Sequence, residues 1–191
     1  MNRPNQLTLS RIILTFVFIF FISQNGLVPM AIAALVFTLA SVTDFYDGYL
    51  AKKYDLHSDF GKLMDPIADK FLILAAFLAF VRMQIVDDWM VLLILGREII
   101  VTGLRIFAVT KGKVLAAERA GKHKTVSQIV AIFSILGFII AKEILLNFSC
   151  WSPTIEIWWR RGIFALMLVT VAFTLISGIS YFWNNRKLIH V

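Results

Sequence analysis

Four aspartates stand out in a chain of 191 residues that is 59% hydrophobic and only 16% charged. Asp44 and Asp47 are three residues apart, Asp65 and Asp69 four apart, and each pair sits at the margin of a long apolar run. On an α-helix both spacings place two carboxylates on one face. Two antiparallel helices joined by a short connector would let the pairs meet at one end of a bundle. Four carboxylates gathered there repel one another unless a cation sits among them. Such an oxygen-only donor set suits Mg2+ or Mn2+. Four carboxylates suffice for two ions, the arrangement that clamps a transferring phosphoryl group. Ionisable side chains inside apolar spans are costly and mark function. Asp55 and Asp59, between the pairs, read as solvated loop residues. Gly48 and Gly61 fall in register with the acidic positions, and glycine leaves room for a ligand to approach the backbone. Pro66 is expected in the first turn of its helix, where the missing N–H costs nothing.

The elements that must position these carboxylates follow from the apolar runs. A membrane-spanning helix needs about 20 mostly apolar residues. Six segments qualify: Leu7–Ser23, Val28–Ala51, Phe60–Arg82, Asp88–Val109, Thr125–Leu146 and Ile157–Trp183. The sequence therefore predicts an all-α integral membrane protein with six transmembrane helices, organised as one domain over residues 1–191. Eleven lysines and arginines fall at the two ends and in or beside the second and fourth connectors, against four in or beside the other connectors. Basic residues accumulate on the cytoplasmic side, so both termini are expected there. The same bias accounts for the net charge of +7 without nucleic acid as a partner. The stretch "WSPTIEIWW" fits an aromatic belt at the opposite interface. The lone Cys150 allows no internal disulfide. The first apolar run lacks a small-residue cleavage site at its end, so it reads as a retained span. His57, His123 and His190 have no metal-ligand spacing and read as surface residues.

The acidic stretch resembles the signature of the CDP-alcohol phosphatidyltransferases, Asp-x2-Asp-Gly-x2-Ala-Arg-x8-Gly-x3-Asp-x3-Asp. Here it reads "DFYDGYLAK", eight residues, then "GKLMDPIAD", with Asp44, Asp47, Gly48, Ala51, Gly61, Asp65 and Asp69 in place. Lys52 stands where the family usually has arginine; it keeps the charge and loses the planar two-pronged contact. The resemblance extends along nearly the whole chain, because six helices is also the family architecture. It implies displacement of CMP from a CDP-linked lipid by an acceptor hydroxyl. It also implies that Asp44, Asp47 and Asp65 hold the metal and that Asp69 is the base, with Asp69 also able to touch a metal. Asp47, Gly48, Lys52 and Gly61 would then lie against the CDP lipid.

The acceptor is suggested by a second constellation. Arg97 and Arg105 are eight residues apart in "GREIIVTGLRIF", slightly over two turns, and Lys122 and Lys124 follow in "AGKHKTVSQ". Four cations can converge on one anion, arginine as a bidentate phosphate binder and lysine as a point charge. The plainer alternatives are an Arg97–Glu98 pair, snorkelling of Arg105, and loop charge at Lys122 and Lys124. Together "REI…GLR…GK-KT" resembles the branch of the family that uses glycerol 3-phosphate, as does the opening "NRPNQLTLSRI". By that resemblance Asn5 and Thr8 sit near the CDP group with Arg11 close by; otherwise Asn5 and Thr8 are helix caps. The implied reaction takes CDP-diacylglycerol and sn-glycerol 3-phosphate to phosphatidylglycerol phosphate and CMP. It would run at the cytoplasmic face of a bacterial inner membrane, in a homodimer. Three rivals remain. Another member of the same family would use a different acceptor, as a CDP-type cardiolipin synthase or an inositol phosphate enzyme does. A membrane prenyltransferase would need more spans, and a divalent-cation transporter would want its acidic residues at mid-membrane.

Overall fold

A computed structural model gives the structure of the chain. It describes residues 3–54, 59–110 and 119–185; of these, residues 3–8, 44–54, 59–69, 105, 107, 109, 110, 119–122 and 185 are described by backbone only. Six α-helices account for nearly all of it: α1 Arg3–Ile22, α2 Leu27–Tyr54, α3 Asp59–Arg82, α4 Asp88–Thr110, α5 Arg119–Asn147 and α6 Pro153–Asn185. No strand occurs among the described residues. Number and order match the six predicted segments. The largest difference is at α5, which begins before the apolar run, at Arg119, and carries "GKHK" in its first turns. A helix satisfies its own backbone hydrogen bonds and so can continue past the end of its apolar stretch. The apolar pattern marks only the part of the helix that shuns water.

The helix ends carry local signals. Pro153 opens α6, where its fixed φ and missing N–H suit the first position, and Glu156 places negative charge in the first turn against the helix dipole. Asp88 opens α4 and accepts a hydrogen bond from the Trp89 backbone N–H at 2.8 Å. Between α1 and α2 the chain turns at Gly26, whose φ of 108° is open to glycine and strained for other residues.

The chain forms two compact units. One comprises α1, α2, α3 to Phe80, and α5 from Ile135; the other comprises α4, α5 up to Ser134, and α6. In the first, α1 packs along α2. Ala33, Phe37 and Ala40 recur along one face of α2 with no exposed surface, and Phe18 of α1 is equally enclosed. The small alanines let the helices approach closely. The rings of Phe18 and Phe37 meet at 5.6 Å with a 55° tilt, within the range that favours tilted aromatic pairs. In the second unit α4 packs on α6; α4 buries Met90, Val91, Ile94 and Val101, and α6 buries Ile163, Met167, Val171 and Tyr181.

Outside these cores the helices are oily. Phe20, Leu92, Ile99, Trp158, Ile179 and Trp183 are each more than 60% exposed. Two stretches, His123–Asn147 and Pro153–Asn184, are long and apolar enough to cross a membrane among the described residues; Leu9–Ile22 and Leu27–Thr43 are shorter apolar stretches. α4 is interrupted by Arg97, Glu98 and Arg105, which lowers its hydropathy as a span.

The core assignment has a direct check. Phe37→Ala should destabilise the protein by about 3–5 kcal/mol, the range for emptying a buried aromatic site, and lower the melting temperature of detergent-purified protein. Phe20→Ala, at a ring 61% exposed, should leave it nearly unchanged. Equal losses would contradict the placement of Phe37 in the core.

Candidate active site

The four aspartates lie on regular helix. Asp44 and Asp47 belong to α2, Asp65 and Asp69 to α3, all in the first unit. The helical spacing inferred for each pair therefore holds in the backbone. Their side chains lie outside the described residues, as do those of Asn5, Thr8, Lys52, Arg105 and Lys122, and the surroundings of Gly48 and Gly61. His57 and His190 also lie outside; His123 is exposed, as expected. Among the described residues no three His, Cys, Asp or Glu side chains form a metal-binding group. The donor set itself fits the expected ion: four carboxylates on two consecutive helices offer hard oxygen ligands only. Arg11, which follows Asn5 and Thr8 on α1, is buried at 4% exposure, and its carbonyl accepts a hydrogen bond from the Thr15 hydroxyl at 2.8 Å.

Pro66 differs from its expected position. α3 starts at Asp59, so Pro66 falls inside the helix rather than in its first turn. There it cannot donate to the carbonyl of Lys62 four residues back. A helix that began at the proline would have left Asp65 outside it; the earlier start keeps Asp65 and Asp69 on one continuous helix.

The second unit holds a buried polar cluster. Arg97 of α4 donates from Nη2 to the Ser177 hydroxyl of α6 at 2.9 Å. Its Nη1 lies 3.4 Å from Oε1 of Glu98. The same carboxylate oxygen accepts a hydrogen bond from Nζ of Lys124 on α5. The side chains are 10%, 16% and 7% exposed for Arg97, Glu98 and Lys124. Two of the four predicted acceptor cations thus meet on one carboxylate. Arg97 does pair with Glu98, the plainer alternative for it, but the pair is not closed. Glu98 is shared with Lys124, and the three charges sum to +1. Lys124 is not a loop lysine, since it sits within α5 and is buried.

α6 is shaped to receive this cluster. Thr170, Thr174 and Ser177 run down one buried face at intervals of four and three residues, each at most 2% exposed. Thr170 and Thr174 return their hydroxyls to the carbonyls of Leu166 and Thr170 at 3.0 and 2.7 Å. Thr170 also reaches the Ser127 carbonyl of α5 at 3.5 Å. Gly178 lies against Arg97: a Cβ there would stand 3.0 Å from Arg97 Cγ. The sequence reading passed over Ser177, Gly178 and the link from Glu98 to Lys124. A usable signal existed in the hydroxyl residues at helical spacing within an otherwise apolar run.

A family model described as CDP-alcohol phosphatidyltransferase matches residues 1–183. Among curated proteins, one from Bacillus subtilis (strain 168) is 36% identical over 96% of this chain and 95% of its own length. One from Rickettsia felis is 37% identical over 97% and 96%, and one from Escherichia coli K12 is 35% identical over 94% and 92%. All three carry the name CDP-diacylglycerol--glycerol-3-phosphate 3-phosphatidyltransferase.

The fit of Arg97 against α6 can be tested by crowding it. Its guanidinium is tied to Ser177 and Glu98, so its Cγ has little freedom to retreat. Gly178→Ala should cost about 1–3 kcal/mol by overpacking, seen as a lower melting temperature. The cost should vanish in an Arg97→Ala background, where the opposing carbon is gone. An equal cost in both backgrounds would contradict the contact.

Proposed function

The chain belongs to the CDP-alcohol phosphatidyltransferase family, and we propose that it transfers the phosphatidyl group of CDP-diacylglycerol to sn-glycerol 3-phosphate, giving phosphatidylglycerol phosphate and CMP. The observation that carries this reading is the likeness, over nearly the full length of each chain, to relatives named for that reaction. The buried surplus of positive charge around Arg97 and Lys124 supports an acceptor that bears a phosphate.

The protein is an integral membrane enzyme of one domain in this reading. Its six helices span the bilayer with both termini in the cytoplasm. The exposed apolar faces and the asymmetry of basic residues support that placement; the family resemblance adds a bacterial inner membrane and a homodimer. CDP-diacylglycerol keeps its acyl chains in lipid and brings its head group to the cytoplasmic end of α2 and α3. Asn5, Thr8, Asp47, Gly48, Lys52 and Gly61 bind the CDP portion.

Asp44, Asp47 and Asp65, with Asp69, are the residues that would hold Mg2+ or Mn2+, as one ion or two. When bound, such ions neutralise the pyrophosphate and stabilise the departing CMP. Arg97, Arg105, Lys122 and Lys124 hold the phosphate of glycerol 3-phosphate. Its primary hydroxyl oxygen attacks the β-phosphorus of the CDP lipid. The bond from that phosphorus to the bridging oxygen breaks, and CMP leaves with the electron pair. Asp69 accepts the hydroxyl proton as the new P–O bond forms. A carboxylate is a weak base in water, but it need only take a proton whose acidity rises along the reaction path.

The test is CMP release by detergent-purified protein given CDP-diacylglycerol and Mg2+, with glycerol 3-phosphate, serine, inositol, inositol phosphate or phosphatidylglycerol in parallel. Release should occur with glycerol 3-phosphate alone and be lost in Asp44→Ala. Asp69→Asn should still bind CDP-diacylglycerol but turn over about 10²-fold more slowly or worse, the lower end for loss of a general base. Release with another acceptor would overturn the assignment of substrate. Near-normal turnover in Asp69→Asn would remove it as the base.

A further inference from the structure

One turn beyond Lys124, α5 buries a second polar side chain. Gln128 is 2% exposed, and its amide nitrogen has no hydrogen-bond partner among the described residues. Burying a polar donor without a partner costs free energy, and native proteins keep few of them. Leucine or methionine would fill similar space without that cost. A spacing of four residues puts Gln128 on the same helix face as Lys124, and both are buried. That face of α5 is the one that meets Glu98, which in turn meets Arg97. Nε of Arg97 is a second buried donor with no partner among the described residues. Among the described residues the neighbourhood therefore has two spare donors, and Arg97, Glu98 and Lys124 sum to one positive charge. An apolar or cationic occupant would leave both unmet, whereas a small anion rich in oxygen atoms would meet them.

We propose that Gln128 is a specificity-determining residue of the acceptor site, donating its amide N–H to the secondary hydroxyl of glycerol 3-phosphate. The inference rests on the acceptor proposed above and assigns the one group of that molecule still unaccounted for. The primary hydroxyl reacts, and the phosphate is matched by Arg97 and Lys124. The secondary hydroxyl carries no charge, so a neutral amide suits it. Sites built to hydrogen-bond a hydroxyl discriminate against analogues that lack it.

The experiment compares wild type, Gln128→Leu and the bulk-conserving Gln128→Met, as full-length protein in detergent. CMP release is followed with glycerol 3-phosphate and with 3-hydroxypropyl phosphate, which lacks the secondary hydroxyl. Wild type should prefer glycerol 3-phosphate by about fivefold or more in kcat/KM, the worth of one hydrogen bond. Both variants should lose that preference through a higher KM for glycerol 3-phosphate, with the KM for CDP-diacylglycerol within about twofold of wild type. Their melting temperature without acceptor should be equal to or above wild type, because an unmet donor has gone. A preference unchanged in the variants, or a melting temperature that falls while KM stays constant, would make Gln128 merely structural and overturn the inference alone. No release by wild type with glycerol 3-phosphate would overturn the proposed reaction and this inference with it.

Discussion

The carboxylate of Glu98 is the negative centre on which the interior of the second unit depends. Two cations, from α4 and α5, lie on it in a region where charge is expensive. Removing one partner from a buried ion pair typically costs about 3–5 kcal/mol, because the other charge is left unmatched. The three helices that surround this cluster are accordingly constrained. α4 supplies Arg97 and Glu98, α5 supplies Lys124, and α6 supplies the Ser177 hydroxyl and the space at Gly178. An apolar core of equal volume would have been simpler to stabilise. A cluster with one positive charge in excess instead leaves a favourable place for an anion.

The two units carry different chemistry. The helices of the first hold the aspartates, whose donor set suits a hard divalent ion and a pyrophosphate. The second holds the buried cations and hydroxyls that suit a phosphate-bearing acceptor. A transfer between a CDP lipid and glycerol 3-phosphate needs both kinds of group.

Much of this was legible in the sequence, and the limits have physical causes. The six apolar runs gave the number and order of the helices because hydrocarbon-facing residues must be apolar for about the same length every time. The aspartate motif was legible because its fixed spacing reports helix geometry directly. The beginning of α5 was less so, since "GKHK" is polar and only the folded backbone reveals that it is helical. Pro66 was misplaced because a proline inside a helix and one in its first turn look alike without the true start. Glu98 and Lys124 are 26 positions apart, and no local pattern links them. Ser177 and Gly178 lie in a run of apolar residues where their small size reads as filler, until Arg97 is found against them. Gln128 falls inside the fifth predicted span, but a lone amide there carries no pattern that tells a buried donor from an exposed one.

The central claim is that the net charge of the Arg97–Glu98–Lys124 cluster binds the acceptor phosphate. The most direct measurement is the KM for glycerol 3-phosphate in Lys124→Met and in Lys124→Met/Glu98→Gln. The cluster carries +1 in wild type, zero in the single variant and +1 again in the double. The account predicts a rise of about tenfold or more in the single variant, the scale of a charge-assisted hydrogen bond, and recovery of most of it in the double. A double variant no better than the single, at unchanged melting temperature, would contradict it.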